Sequence, residues 1–231
     1  MRNFLKTGLA AIALMILFSA FAITEINAQR PPLNEALMRM DEHNKKLTSL
    51  KANVKMEKFQ SQLGETDTFD GQVIYLPQKK GNPYVRIDWT KPREESLAVV
   101  GKEYIVYTPA LKQAITGNVN QAKGSGKANG ALAFLNMSKA QLQANYTIRY
   151  VGQETAAAVP TWHLELTPKT KSSYKVADLW VDKDGMPIQA KVTEANNDTT
   201  TVFLSGIKKN ETINGSVFAI NPPKGTKIIK G

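Results

Sequence analysis

The sequence predicts a mainly β protein, in which one N-terminal amphipathic helix precedes about ten or eleven antiparallel strands of a curved sheet, sandwich or barrel. Turn signals rich in Gly, Pro, Asn and Asp recur about every eight to twelve residues, between short β-rich runs. The spacing of apolar residues also changes from three or four to two near Leu50. The 231 residues suit one domain and show no repeat period, which disfavours solenoids and propellers.

The N-terminus has the layout of a secretory signal peptide. Arg2 and Lys6 precede an uncharged stretch, residues 7–24, with small residues near its end at Ala22 and again at Ala28. Because 18 uncharged residues also reach the lower limit for a membrane span, a single membrane anchor is the alternative. We expect cleavage, after Ala22 or Ala28, since no basic stop-transfer cluster follows the run.

Cleavage after Ala28 would make residues 1–28 a signal peptide and residues 29–231 one exported domain. The whole chain has 30 Lys and Arg against 20 Asp and Glu, a formal charge of +10. A basic balance favours anionic partners such as lipid headgroups or acidic protein faces. No aromatic and basic groove or DNA-reading helix is recognisable, so nucleic acid is not an expected partner.

The composition gives little support to catalysis or metal binding. The chain has no cysteine, which excludes disulfides, thiolate zinc sites and a lipid-modified N-terminal cysteine. His163 has no serine or acid at a catalytic spacing, and Asp182, Asp184 and Gly185 fit a hairpin turn better than an incomplete calcium loop. We therefore expect no catalytic residue, no metal ligand and no cofactor, and a protein that is not an enzyme.

An amphipathic helix is predicted after Pro31 and Pro32. Apolar residues recur there at helical spacing: Leu33, Ala36, Leu37, Met40, Leu47 and Leu50. His43 falls within this helix and is expected at its surface. From Leu50 the residues alternate between apolar and polar, which predicts a half-buried strand.

The remaining strands are predicted from short β-rich runs bounded by turns. They are Phe69 to Leu76, Tyr84 to Trp89, Leu97 to Val100, Tyr104 to Tyr107, Tyr146 to Val151, Trp162 to Leu166, Tyr174 to Val181, Pro187 to Ala195, Thr199 to Leu204 and Ser216 to Ile220.

One segment interrupts the β pattern. Residues 123–130 are rich in Gly and Lys, and a helical pattern follows in which Leu132 and Leu135 share a face. The order of residues does not meet the requirements of a phosphate loop. A flexible connection to a helix within a β domain is typical of a lid or plug.

One sheet face is predicted to be continuously apolar. A two-residue turn at Gly101-Lys102 would place Leu97 and Val99 on the same face as Tyr104 and Val106. Alternation provides further companion faces: Val54 and Met56; Val85, Ile87 and Trp89; Leu179 and Val181. These residues alone support two interpretations of the apolar face equally well, an ordinary packed core and the wall of a cavity.

Four segments resemble the LolA-type periplasmic lipoprotein carriers. They are VRIDWTKPREESLAVVGKEYIVYTPALKQA (Val85 to Ala114), WHLELTPK (Trp162 to Lys169), LWVDKDGMPIQAKV (Leu179 to Val192) and VFAINPPKGTKII (Val217 to Ile229). They follow the order of the family's Tyr-x-Pro strand, Leu-Thr-Pro-Lys strand, Asp-Gly hairpin and closing Phe-x-x-x-Pro-Pro-x-Gly strand. The family's latch arginine is replaced by Lys79, Lys80 and Gly81, with Arg86 a few residues on, so no latch residue is assigned.

The resemblance implies an incomplete antiparallel β-barrel of about eleven strands, covered by α-helices around an apolar cavity. It implies a monomeric periplasmic carrier that binds the acyl chains of lipoproteins. Its partners would be acylated lipoproteins, an ATP-driven lipoprotein-releasing complex of the inner membrane and an outer-membrane lipoprotein receptor. The lipid-binding candidates are Val54, Met56, Val85, Ile87, Trp89, Leu97, Val99, Tyr104, Val106, Leu132, Leu135, Leu179 and Val181. The alternative is a periplasmic sensor or regulatory module that binds lipids or lipoproteins with the same half-barrel.

Overall fold

The structure is a computed structural model that describes residues 32–78, 81–119 and 137–231. The predicted signal peptide, the glycine-rich segment and the candidates Leu132 and Leu135 lie outside the described residues. The elements within these ranges are helices α1 (Pro32–Lys46) and α2 (Lys139–Asn145), and strands β1 (Leu50–Gln60), β2 (Glu65–Leu76), β3 (Tyr84–Lys91), β4 (Glu95–Val100), β5 (Glu103–Thr108), β6 (Gln113–Asn118), β7 (Tyr146–Ala156), β8 (Val159–Pro168), β9 (Tyr174–Asp182), β10 (Pro187–Glu194), β11 (Thr199–Lys209) and β12 (Lys227–Lys230). Short 3₁₀ helices span Pro109–Leu111 and Gly215–Phe218.

All twelve strands belong to one sheet, in the order β12-β6-β5-β4-β3-β2-β1-β11-β10-β9-β8-β7. Neighbours are antiparallel except β12, which pairs with β6 in parallel. Within the described ranges, β7 and β12 are the two edges, so the sheet does not close on itself. The predicted mainly β, incomplete fold is confirmed, with twelve strands instead of about eleven.

One face of the sheet, called the inner face here, carries the main hydrophobic core. Strand alternation directs Ala52, Val54 and Met56 of β1 inward, and the inward side chains of β2, β3 and β8–β11 continue the same cluster. Both helices contribute to it, through Leu37 and Met40 of α1 and Leu142 of α2. The core therefore lies between the two helices and about half of the sheet.

Helix α1 is fixed against the β9–β10 hairpin. Gly185 in this turn has φ +85°, and a Cβ atom there would lie 2.1 Å from the carbonyl oxygen of Arg39, so the turn approaches the helix backbone closely. The guanidinium of Arg39 donates to the carbonyl oxygen of Lys183 at 2.6 Å and lies 5.2 Å from the ring centre of Trp162. Asp182 Oδ1 accepts from the backbone N–H groups of Asp184 and Met186, which confirms the predicted turn.

Helix α2 begins with a capping box. The side chain of Ser138 accepts from the backbone N–H of Gln141, and the Gln141 side chain accepts from the backbone N–H of Ser138. Just before this cap, the carbonyl oxygen of Met137 accepts from Asn44 Nδ2 at 2.8 Å. The start of the α2 segment is thus tied to α1.

The opposite, outer face of β3 and β4 is contacted by the C-terminal segment. Arg86 makes two hydrogen bonds to Asp88, at 2.8 and 3.0 Å, and also donates to the carbonyl oxygen of Val217 at 2.8 Å. The ring of Phe218 packs edge-on against Tyr84, with ring centres 5.7 Å apart. Because Arg86 faces outward, its side chain binds the C-terminal segment and does not reach the inner face.

Three details of the sequence interpretation are wrong or incomplete. The predicted strand Ser216 to Ile220 is largely a 3₁₀ helix, in which Asn214 accepts from the backbone N–H of Ser216. Strand β6 was not predicted, and it pairs with β5 and β12. His43 is buried, not exposed, because it follows Ala36 and Met40 at helical spacing on the inward side of α1.

Candidate functional site

The candidate site is a strip of five half-buried apolar side chains on the inner face. We call it the open strip; it consists of Val85, Leu97, Val99, Tyr104 and Val106. The predicted register is confirmed, since Leu97 pairs with Val106 and Val99 pairs with Tyr104. Val85 in turn pairs with Val99, so the strip crosses β3, β4 and β5 without interruption. All five members were lipid-binding candidates from sequence.

The other described candidates are covered by the protein itself. Six of them are at most 7 % exposed and belong to the main core: Val54, Met56, Ile87, Trp89, Leu179 and Val181. A ligand reaches their side chains only if the neighbouring side chains that cover them move. The structure therefore divides the eleven described candidates into six packed residues and the five residues of the open strip. The alternation of residues along each strand cannot make this distinction, because it gives only the face of the sheet.

The open strip continues the packed core at one end and reaches the sheet edge at the other. Val85 and Leu97 pack against the core cluster. Tyr104 lies over Gly117 of β6, where a Cβ atom would be 2.8 Å from its ring. Glycine at this position gives the ring room to lie against the sheet. The strip is thus a flat apolar surface bounded on one side by a fixed hydrophobic wall.

Aromatic and charged groups mark one end of the inner face. Phe69 and Trp89 meet edge-to-face with ring centres 5.9 Å apart, and Lys58 Nζ lies 4.9 Å from the Phe69 ring centre. Glu95 pairs with Trp89 in the β3–β4 register. These charged residues therefore lie at one end of the strands, and the five side chains of the open strip, further along β3, β4 and β5, are uncharged.

Tyr75 is an inner-face residue that the sequence interpretation missed. It lies on β2 between Leu50 of β1 and Val85 of β3 in the register, and it is 3 % exposed. Its hydroxyl has no hydrogen-bond partner among the described residues. Burial raises the pKa of this hydroxyl, which therefore stays protonated. Alternation through Val73 and Tyr75 would have placed it on this face, although no sequence signal indicates its missing partner.

The second histidine belongs to a cluster on the outer face. His163 Nδ1 lies 2.8 Å from Glu154 Oε1, and its Nε2 lies 2.8 Å from Asp178 Oδ1. Its ring stacks on Trp180 with centres 4.4 Å apart, and the Trp180 indole N–H donates to Glu154. The hydrogen bonds from Trp180 and His163 lower the pKa of Glu154. This network links β7, β8 and β9 on the face opposite the open strip.

Two clefts of similar size lie elsewhere, one on the outer face beneath the C-terminal segment and one beside α1. One, of about 510 Å³, lies between the outward-facing Ala98 and Ile105 of the sheet and Phe218 and Ile220 of the C-terminal segment. The other, of about 500 Å³, lies between α1 and the β9–β10 turn and contains charged side chains of both signs, including Lys183 and Asp184. Within the described ranges, no helix is both long and apolar enough to cross a membrane.

An unclosed, mainly antiparallel sheet with helices on its inner face and a half-buried apolar strip beside them defines the class, a half-barrel built around an internal apolar surface. The chain belongs to the LolA family: the profile described as "Outer membrane lipoprotein carrier protein LolA" matches residues 45–221. The family resemblance stated from the sequence is therefore confirmed.

Two curated relatives are both described as outer-membrane lipoprotein carrier proteins. The one from Xanthomonas oryzae pv. oryzae is 30 % identical over 146 residues, which cover 62 % of this chain and 66 % of the relative. The match thus spans just under two thirds of that relative's length. The one from Pseudomonas fluorescens is 24 % identical over 217 residues, which cover 94 % of this chain and 97 % of the relative.

A solved structure has the same fold at low sequence identity. The crystal structure of an uncharacterized conserved protein from Thermus thermophilus superposes with a TM-score of 0.56 and 14 % identity. The superposition covers 87 % of this chain and all of that one. This likeness concerns the fold alone.

Proposed function

We propose that this protein is a periplasmic carrier that binds the acyl chains of lipoproteins and moves them from the inner membrane to the outer membrane. The observation that carries the proposal is the open strip, an uncharged apolar surface on the inner face of a LolA-family half-barrel. An acyl chain has no polar groups along its length, so an uncharged wall of Val, Leu and Tyr side chains suits it. The protein acts by binding and release, without a chemical step.

The energetics of acyl burial favour a partly open site. Each buried methylene contributes about 0.8 kcal/mol, so one chain of about 15 carbons fully enclosed would gain on the order of 12 kcal/mol. Three enclosed chains would exceed the ceiling of about 20 kcal/mol for noncovalent binding. A carrier must release its cargo, so it should bind each chain less tightly than full enclosure would allow. A chain that lies against half-buried residues such as Leu97 and Val99 is only partly enclosed and gains only part of the free energy of full burial.

The remaining parts of the transport route follow from the same proposal. Residues 1–28 act as a cleaved signal peptide that directs the domain to the periplasm. An ATP-driven complex of the inner membrane supplies the work of loading, and an outer-membrane lipoprotein receptor accepts the cargo. Mass spectrometry of the exported protein distinguishes cleavage after Ala22 from cleavage after Ala28, whereas an intact N-terminus contradicts the signal peptide.

A capture experiment tests the proposed function. The tagged protein is expressed in a Gram-negative host and purified from the envelope, and bound lipids and proteins are identified by mass spectrometry. A carrier co-purifies with diverse acylated lipoproteins, and an apolar fluorescent probe bound to the purified protein is displaced by a synthetic triacylated lipopeptide. Recovery of one membrane regulator and no lipoproteins would indicate a sensor instead, and turnover of an added lipid ester would indicate an enzyme.

A further inference from the structure

The buried hydroxyl of Tyr75 is a hydrogen-bond donor that the fold leaves unused. Its oxygen has no partner among the described residues, although the side chain is only 3 % exposed. An unsatisfied buried polar group typically costs about 1–3 kcal/mol, and a phenylalanine would fill the same space without that cost. Such a group calls for an explanation outside the packing of the protein itself.

Tyr75 stands at the boundary between the packed core and the open strip. Along one row across the sheet, Leu50 is fully buried, Tyr75 follows, and Val85, Val99 and Tyr104 are half-buried. Side chains on a strand stand roughly perpendicular to the sheet, so the Tyr75 ring points from the inner face into the core cluster, where its hydroxyl is buried. A ligand lying on the open strip would end next to Tyr75, beside its register partner Val85, and would reach the hydroxyl once the side chains that cover it move aside.

An acylated ligand brings the complementary group. The carbonyl oxygen of an ester or amide at the head of an acyl chain accepts hydrogen bonds but donates none through that oxygen. When the chain is buried, this carbonyl leaves water and requires a donor. Within the open strip the side chains of Val85, Leu97, Val99 and Val106 provide none, and the hydroxyl of Tyr104 lies at the far end, towards the sheet edge; Tyr75 is the donor at the core end.

We propose that the Tyr75 hydroxyl donates a hydrogen bond to the ester or amide carbonyl of a bound acyl group. The inference rests on the proposed function and assigns Tyr75 as the residue that distinguishes acyl chains from alkyl chains lacking a carbonyl. Binding would satisfy the protein's orphan donor and the ligand's orphan acceptor together. Burial also raises the pKa of Tyr75, so the donor is retained throughout the neutral range.

The test compares Tyr75→Phe with the matched control Tyr84→Phe. Tyr84 lies on the neighbouring strand but faces outward against Phe218. Both variants are titrated with a lipopeptide carrying two ester-linked palmitoyl chains on a glyceryl cysteine, and with its analogue carrying two ether-linked hexadecyl chains. The peptide and chain number are the same, so the pair differs in the linkage.

We expect Tyr75→Phe to bind the ester ligand about tenfold more weakly than the wild type and the ether ligand equally well, while Tyr84→Phe changes neither affinity. Tenfold corresponds to about 1.4 kcal/mol, the size of one hydrogen bond. Equal affinities of wild type and Tyr75→Phe for the ester ligand would overturn the inference, as would equal losses for both ligands. If the wild type binds neither ligand, the proposed function itself fails.

A spectroscopic measurement tests the same contact without relying on affinity. With ¹³C-labelled ester carbonyls, the infrared stretching band of the bound ligand should lie at lower frequency in the wild type than in Tyr75→Phe, since a hydrogen bond weakens the carbonyl bond. An unchanged band would show that water or another group meets the carbonyl and would overturn the assignment.

Discussion

Leu97→Glu is the most informative single substitution, because it places a charge in the open strip with little effect on the core. Leu97 is half-buried between Ile87 and Val106 in the register. The carboxylate of the empty protein therefore keeps much of its water, and we expect the free energy of unfolding to fall by only about 1–2 kcal/mol. The same change at fully buried Ile87 would prevent folding.

The binding penalty follows from the protonation equilibrium of the introduced glutamate. An acyl chain on the strip forces the carboxylate either to lose its water or to take up a proton. At about pH 7.3, protonating a glutamate of ordinary pKa near 4.3 costs about 4 kcal/mol. The charge can therefore weaken acyl binding by at most about a thousandfold in affinity, because protonation is always available as the alternative. At about pH 5.3 the same cost is about 1.4 kcal/mol, so up to about a hundredfold should be recovered.

The assay is displacement of an apolar fluorescent probe by triacylated lipopeptide at both pH values. Leu97→Gln should bind more weakly than the wild type, without this recovery, because its amide does not titrate. Val100→Glu is the matched control, since Val100 lies on the same strand but on the outer face with 42 % exposure. Wild-type affinity of Leu97→Glu at both pH values, or an equal loss in Val100→Glu, would refute the assignment of the open strip as the acyl-binding wall.

Two further predictions concern the packing of α1. Gly185→Ala combines a strained φ of +85° with a clash against the Arg39 carbonyl, so the free energy of unfolding measured in urea should fall by at least about 3 kcal/mol. In the control Gly101→Ala, φ is +63° and nothing lies within 4 Å, so the free energy of unfolding should fall by only about 1 kcal/mol. Equal losses in the two variants would contradict the close approach of the turn to α1. Burial lowers the pKa of His43 below its usual 6.5. As the pH falls, His43 is therefore protonated in the unfolded chain before it is protonated in the folded protein, and the free energy of unfolding should decrease below about pH 6.5. His43→Leu should flatten this dependence between about pH 7.5 and 5.5, and an unchanged slope would rule out His43 as its source.

The register of the β4–β5 hairpin could be predicted because a two-residue turn fixes every pair that follows. Placing the turn at Gly101-Lys102 was sufficient to put Leu97 opposite Val106. Alternation likewise assigned the inward side chains of β1, β3 and β9 correctly. These are local properties, in which each residue's face depends on its immediate neighbours.

The division of the inner face into covered and uncovered parts could not be predicted. It depends on where α1 and α2 pack, and these contacts join residues distant in sequence, such as Arg39 with Lys183. Strand β6 escaped prediction because its sequence, QAITGN, has weak β propensity and its pairing comes from β5 and β12. That the Tyr75 hydroxyl has no hydrogen-bond partner also depends on tertiary structure, because it requires knowing the position of every polar group around it.

The two free edges of the sheet have a mechanical consequence. In a closed cylinder, strand number and stagger fix the circumference, and swelling it would require breaking a backbone ladder. In the part of the chain that the structure describes, the edge strands β7 and β12 are not paired with each other. The twist angle between neighbouring strands varies over about 25° among natural sheets. Small changes in this angle can add up across the twelve strands and increase the distance between the edge strands β7 and β12. A sheet with separate edges can therefore change the width of its interior while its interstrand hydrogen bonds stay intact, which in the proposed carrier would accommodate ligands of different size.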